Sequence, residues 1–129
     1  MDASHVYGSS LSSGSRLRSF TSGLLRTDSS EGRRQLLPTT TNTPATCTQP
    51  THTFAQQACP VAGDSRVSEN PMLTIMHTLW LREHNRIARQ LAAFNPTWND
   101  ETLFQETKRI VDAQLQHITY NEYLPAILG

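Results

Sequence analysis

The sequence predicts a mainly α chain with a loop-rich first half. Three observations carry that expectation. Apolar residues recur at helical spacing only from about residue 70 onward. The preceding stretch is dominated by serine, threonine and proline and shows little helical or strand periodicity. No internal repeat, sustained heptad or Gly-rich phosphate loop points to another architecture.

The polar half comes first. Residues 1–35 hold ten serines, and residues 38–53 hold eight threonines and three prolines. Such a stretch buries too little apolar surface to offset its ordering entropy, so it reads as loop. Short apolar islands interrupt it at Val6-Tyr7, Leu24-Leu25 and Leu36-Leu37. That spacing suits a long excursion pinned at intervals to a larger body.

The helical half comes next. Leu73, Met76, Trp80, His84, Ile87 and Leu91 recur at steps of three and four, which predicts an amphipathic helix over 71–93 with Pro71 in its first turn. Pro96 disfavours helical geometry at Asn95, so the segment 94–100 is a turn, and Asn99 or Asp100 caps the next helix. Leu103, Phe104, Thr107, Ile110, Val111, Gln114, Leu115 and Ile118 repeat the period and predict a second helix over 101–118. The tail beyond it is strongly apolar, and Tyr120, Tyr123, Leu124, Ile127 and Leu128 have no obvious partner in so short a sequence.

Composition excludes some functions. The 129 residues carry eleven Lys+Arg against eleven Asp+Glu, so no net field draws the chain to nucleic acid or to an anionic membrane. Apolar runs are far shorter than the roughly 20 residues a membrane span needs, and the first thirty residues lack a signal-peptide core. A helix-turn-helix reading of the two helices lacks a basic recognition face. Cys47 and Cys59 have no histidine or further cysteine at zinc-ligand spacing and read as two free thiols or one disulfide.

Few single residues demand chemistry. His77 and His84 share a helix face but stand two turns apart, about 10.5 Å, too far to hold one metal ion. Core or hydrogen-bonding histidines are expected. Glu83 with Arg82 and Arg86 reads as a solvated or locally paired charged patch on the far side of that helix. Residues 63–71 place Asp64, Arg66, Ser68 and Glu69 in a Gly-led loop just before a helix. On spacing alone this is a capping loop, with Ser68 or Glu69 meeting the orphan amides and Arg66 pairing with Asp64.

Longer motifs change that reading. The run Ala62-Gly-Asp-Ser-Arg-Val-Ser-Glu-Asn-Pro-Met-Leu-Thr, then Met76-His-Thr-Leu-Trp-Leu-Arg-Glu-His-Asn-Arg-Ile-Ala and Ile118-Thr-Tyr-Asn-Glu-Tyr-Leu-Pro-Ala-Ile-Leu-Gly, resembles the animal haem peroxidases. Asp2-Ala-Ser-His-Val-Tyr-Gly-Ser-Ser resembles the family's calcium-loop segment, and Phe20-Thr-Ser-Gly-Leu-Leu-Arg-Thr with Arg34-Gln-Leu-Leu-Pro resembles the adjoining segment of arthropod extracellular members. The resemblance covers essentially the whole chain, in order.

It implies an incomplete catalytic domain over 1–129, loop-rich over 1–69 and helical over 70–129. The implied activity is hydrogen-peroxide-dependent oxidation of halide or organic donors on a covalently attached haem b, with the isolated chain inactive. Arg66 matches the family's distal-side arginine and is the implied catalytic residue. Glu69 matches the glutamate that forms an ester with a haem methyl and is the implied cofactor-binding residue. Asn70 falls where the leukocyte enzyme has a methionine sulfonium link, which asparagine cannot form. Asp2 and Ser4 match ligands of the calcium site. The distal histidine, its neighbouring aspartate, the proximal histidine and the asparagine that orients it have no match here, and His77 and His84 match neither histidine. The resemblance also implies an extracellular parent protein and favours a Cys47–Cys59 disulfide. The rival from another class is a non-catalytic helical interaction or adhesion module.

Overall fold

The computed structural model describes residues 2–28, 35–40 and 59–129. Two long helices form its body. Helix α3 spans Pro71–Phe94 and helix α4 spans Asp100–Ile118, joined by the turn at residues 95–99. Pro71 sits in the first turn of α3, where its missing N–H costs nothing, and the Asn70 side chain accepts a hydrogen bond from Leu73 N at 3.0 Å. The cap is therefore Asn70, where Ser68 or Glu69 was expected. At the head of α4 the Asn99 side chain accepts from Thr102 N at 2.8 Å, and Asp100 and Glu101 place negative charge against the positive end of the helix dipole.

The first half holds more helix than its composition suggests. Helix α1 covers Ser4–Tyr7 and helix α2 covers Leu11–Leu17, the latter opened by a reciprocal Ser10–Ser13 capping box. Serine disfavours helix interiors but satisfies helix ends, so a serine-rich stretch can hold one-turn and two-turn helices. A two-residue antiparallel pairing joins β1 (Thr39–Thr40) to β2 (Cys59–Pro60), with Thr39 opposite Pro60 and Thr40 opposite Cys59. A 3-10 helix at Ser65–Ser68 leads into α3.

The apolar islands are the pins the sequence predicts. Val6, Tyr7, Leu25 and Leu37 are buried with Val67, Trp80, Leu81, Ile87, Phe104 and Val111 in one core. On α3 the buried stripe sits slightly around the helix from the predicted one. Trp80, His84 and Ile87 are inside as expected, but so are His77, Leu81, Asn85 and Ala88, while Met76 is exposed. Helix α1 packs on the buried side, with the His5 ring against His77 and the Tyr7 hydroxyl bonded to His84. On α4, Leu103, Phe104, Thr107 and Val111 are buried, whereas Ile110 and Ile118 face out.

Gly23 determines how the first half meets α4. Its φ is +69°, and a Cβ there would fall 2.7 Å from Leu103 Cβ and 2.7 Å from Phe104 N. Only glycine permits this approach. Beside it, Arg18 donates to Asp100 at 2.8 Å and to Glu101, with its guanidinium 4.0 Å from the Phe104 ring centroid. Gly23 N donates to the other Asp100 oxygen at 2.6 Å.

Past Ile118 the chain stays helical as a π-helical turn at Thr119–Tyr123 and helix α5 at Leu124–Leu128. Pro125 supplies no N–H and crowds the carbonyl one turn back, which a widened turn relieves. Tyr120, Tyr123, Ile127 and Leu128 are exposed, as their lack of partners in the sequence suggests.

Candidate functional site

The two segments that carry the predicted site residues lie against each other. At Gly63 a Cβ would fall 2.4 Å from Ser4 O, 2.4 Å from Gly8 N and 2.8 Å from His5 O, so the loop before the 3-10 helix is seated directly on α1. A glycine of a peptide loop thus joins the Asp2–Ser4 segment to the Asp64–Glu69 loop. Neither composition nor periodicity shows this contact.

Asp64 caps the 3-10 helix. Its Oδ1 accepts from Arg66 N at 2.9 Å and from Arg66 Nε at 3.1 Å, and its Oδ2 accepts from Arg66 Nη2 at 2.8 Å. The Arg66 guanidinium holds the Asp64 carboxyl down at about 2. The pairing expected from spacing is present. Even so, Arg66 stays open to solvent, its side chain 71% exposed against 22% for Asp64. Glu69 ends the 3-10 turn, donating its N–H to Arg66 O at 2.9 Å, and its side chain is exposed. Met72, Ile75, Met76 and Leu79, which come next at helical spacing on α3, are exposed as well.

Asp2 is exposed, and its Oδ1 accepts from Ser4 N at 3.1 Å. Hydrogen bonds from Ser4 hold this carboxyl below the usual range. Lys108 reaches Asp2 O at 3.4 Å and pairs with Asp112 at 2.7 Å. Among the described residues no group of three His, Cys, Asp or Glu side chains could hold a metal ion.

His77 and His84 behave as core residues. His84 is fully buried; its Nε2–H donates to Gly23 O at 2.8 Å, so its Nδ1 accepts the Tyr7 hydroxyl, also at 2.8 Å. Burial, joined by the nearby Arg18 charge, pushes the His84 pKa down to about 4. Burial also pushes Tyr7 upward. His77 donates from Nδ1 to Leu73 O at 2.7 Å, leaving a buried Nε2 with no hydrogen-bond partner, and the His5 ring lies edge-on to it with centroids 5.7 Å apart. The Glu83 patch is paired as expected: Arg86 donates to both carboxylate oxygens at 2.7 Å, holding Glu83 at about 2, while Arg82 instead donates to Gln35 O at 2.7 Å.

Asn85 is the polar residue that sequence reasoning missed. Its Oδ1 accepts from Leu25 N at 2.8 Å and its Nδ2 donates to Leu25 O at 3.2 Å, so one side chain replaces a strand partner and pins the first half to α3. Its place one step after His84, on the same face as Leu81 and Ala88, was the available signal.

Cys59 is fully buried. Cys47 lies outside the described residues, as does Arg34 of the Arg34-Gln-Leu-Leu-Pro motif.

The chain is thus mainly α, with Arg66 and Glu69 exposed just before a long helix. The family model for animal haem peroxidase matches residues 1–129. Lactoperoxidase of Mesocricetus auratus is 47% identical over 133 residues, covering 100% of this chain and 19% of that protein. The peroxidasin homolog of Homo sapiens is 45% identical over 132 residues, covering 100% of this chain and 9% of that protein. Among solved structures, peroxidase A from Dictyostelium discoideum superposes with a TM-score of 0.80 and 36% identity, covering 96% of this chain and 24% of that one. A fatty acid alpha-dioxygenase of Oryza sativa, with a TM-score of 0.64 and 24% identity, shares the fold. The chain belongs to the animal haem peroxidase family. It spans less than a fifth of the length of these curated relatives.

Proposed function

We propose that these residues form part of a haem-dependent catalytic domain that uses hydrogen peroxide to oxidise halide or organic donors, and that the 129-residue chain by itself is inactive. The observation that carries this reading is the loop at the head of α3. It holds Arg66 with its guanidinium open to solvent and Glu69 with an exposed carboxylate, in a chain whose full length matches the family.

The residues present fit the rim of a porphyrin. The exposed apolar side chains of Met72, Ile75, Met76 and Leu79 suit a flat apolar macrocycle, and the exposed Glu69 carboxylate suits a covalent tether. Haem supplies two-electron redox chemistry with peroxide. Glu69 would join a ring methyl as an ester, with hydrogen peroxide as the two-electron oxidant and two waters as products. Arg66, permanently charged and planar, would hydrogen-bond peroxide and stabilise negative charge developing on the departing oxygen. Asp2 and Ser4 contribute oxygen donors of the type calcium prefers. That ion takes about six to eight oxygens, so other residues must complete the cage. In this reading Cys59 pairs with Cys47, and the parent protein is extracellular, where disulfides persist.

The test uses the haem-loaded catalytic domain that contains these residues. Arg66→Ala should keep its haem yet react with peroxide about two to three orders of magnitude more slowly, the effect of removing a preorganised donor worth about 2.7–4 kcal/mol. Stopped-flow decay of the resting Soret absorbance reads that rate. Glu69→Gln should release more haem on acid extraction with a smaller loss of activity. Arg66→Ala reacting at the parental rate would leave the capping loop as the whole explanation of this arginine and favour a non-catalytic module.

A further inference from the structure

We propose that Asp64 is a positioning residue for Arg66, a role that rests on the peroxidase reading. Asp64 grips the Nε and Nη2 side of the guanidinium with both carboxylate oxygens while its Oδ1 also accepts the Arg66 backbone amide. A guanidinium has five N–H donors in a rigid fork. Gripping two of them from one side leaves three directed away from Asp64, on a side chain that remains mostly open to solvent. The clamp aims the group without consuming it.

The holder is itself held. Gly63 meets Ser4 O and Gly8 N at distances that exclude even a methyl group, so the base of the clamp is seated on α1. A pair this exposed adds little to stability, since surface ion pairs are typically worth less than about 1 kcal/mol. Its consequence is orientation. An unrestrained arginine must be ordered when peroxide arrives, whereas a clamped one is ordered beforehand.

Asp64→Asn separates the two roles of this side chain. The amide oxygen at the Oδ1 position can still accept from Arg66 N and Nε, but the NH2 group meets Nη2 with a donor where the Oδ2 acceptor stood. In the 129-residue chain, the Arg66 Nη2 NMR signal should be shifted and slowly exchanging in the parent and should collapse to the solvent-exposed arginine position in Asp64→Asn, while the Arg66 backbone amide barely moves. In the haem-loaded domain, the second-order rate with peroxide should fall about 10- to 100-fold, the scale of a small misplacement of a reacting group, with haem content unchanged. If Asp64→Asn fails to fold, as circular dichroism would reveal, Asp64→Ser keeps the cap without the clamp and takes its place.

The outcomes are distinguishable. An unchanged Nη2 signal, or a parental peroxide rate in Asp64→Asn alongside a slow Arg66→Ala, overturns the positioning role and leaves the peroxidase reading standing. Parental rates in both variants overturn the peroxidase reading.

Discussion

Acidification should loosen the chain at His84 before it touches the acid groups. The neutral ring is fixed by two hydrogen bonds of 2.8 Å, donating to Gly23 O and accepting from Tyr7. A second ring proton would take away the acceptor that Tyr7 uses, in a site with no water access and with Arg18 nearby. The folded pKa is therefore pushed down to about 4, against 6.5 for an exposed imidazole. The unfolded chain takes up this proton first. The stability tied to the neutral ring is thus complete above pH 6.5 and falls as pH drops toward 4. The loss approaches about 3 kcal/mol at its limit and reaches about 2 kcal/mol by pH 5.

Urea unfolding followed by circular dichroism between pH 7.5 and 4.5 measures it. His84→Gln, which can donate and accept but does not titrate, is the reference. Burial also lowers the His5 pKa, so His5 contributes in the same direction; both proteins retain it and the difference removes it. Asp64 and Glu83, held at about 2 when folded against 3.8 and 4.5 for the free groups, begin to lose their stabilisation only at the acid end of the window, and both proteins retain them, so the difference removes that contribution as well. Parallel stability curves for the parent and His84→Gln, or an NMR titration placing His84 near 6.5, would refute the argument.

Two further perturbations probe how the halves are joined. Gly23→Ala should destabilise by more than about 2 kcal/mol, because it adds a Cβ 2.7 Å from Leu103 Cβ at a φ of +69°; an unchanged urea midpoint would show that α4 can retreat freely. Asn70→Ala should cost about 1 kcal/mol by freeing Leu73 N at the head of α3, read as a lower urea midpoint with the same m-value.

Which parts of this protein were legible in sequence depends on the range of the forces involved. Helices α3 and α4 rest on local signals, a 3.6-residue apolar period, Pro71 at an N-terminus and Asn99 at a cap, and their ends fall within about a residue of expectation. The apolar islands of the first half declared themselves as pins because isolated Val, Tyr and Leu in a polar run have nothing else to bury against. Their destinations were not local. Asn85 binding both backbone groups of Leu25 sixty residues away, and Gly63 pressed onto Ser4 and Gly8, are contacts that no window of sequence contains. The choice of Asn70 over Ser68 and Glu69 as the cap was decided by the 3-10 turn, which commits the two earlier residues to its own geometry. Residue identity alone showed an arginine and a glutamate three residues apart before a helix, and an Asp-x-Ser segment near the start. Spacing also indicated that Arg66 pairs with Asp64, two residues away; tertiary packing decided that their loop is seated on α1 at Gly63, because a close approach of two backbones depends on where both segments fold, and neither segment encodes the other's position.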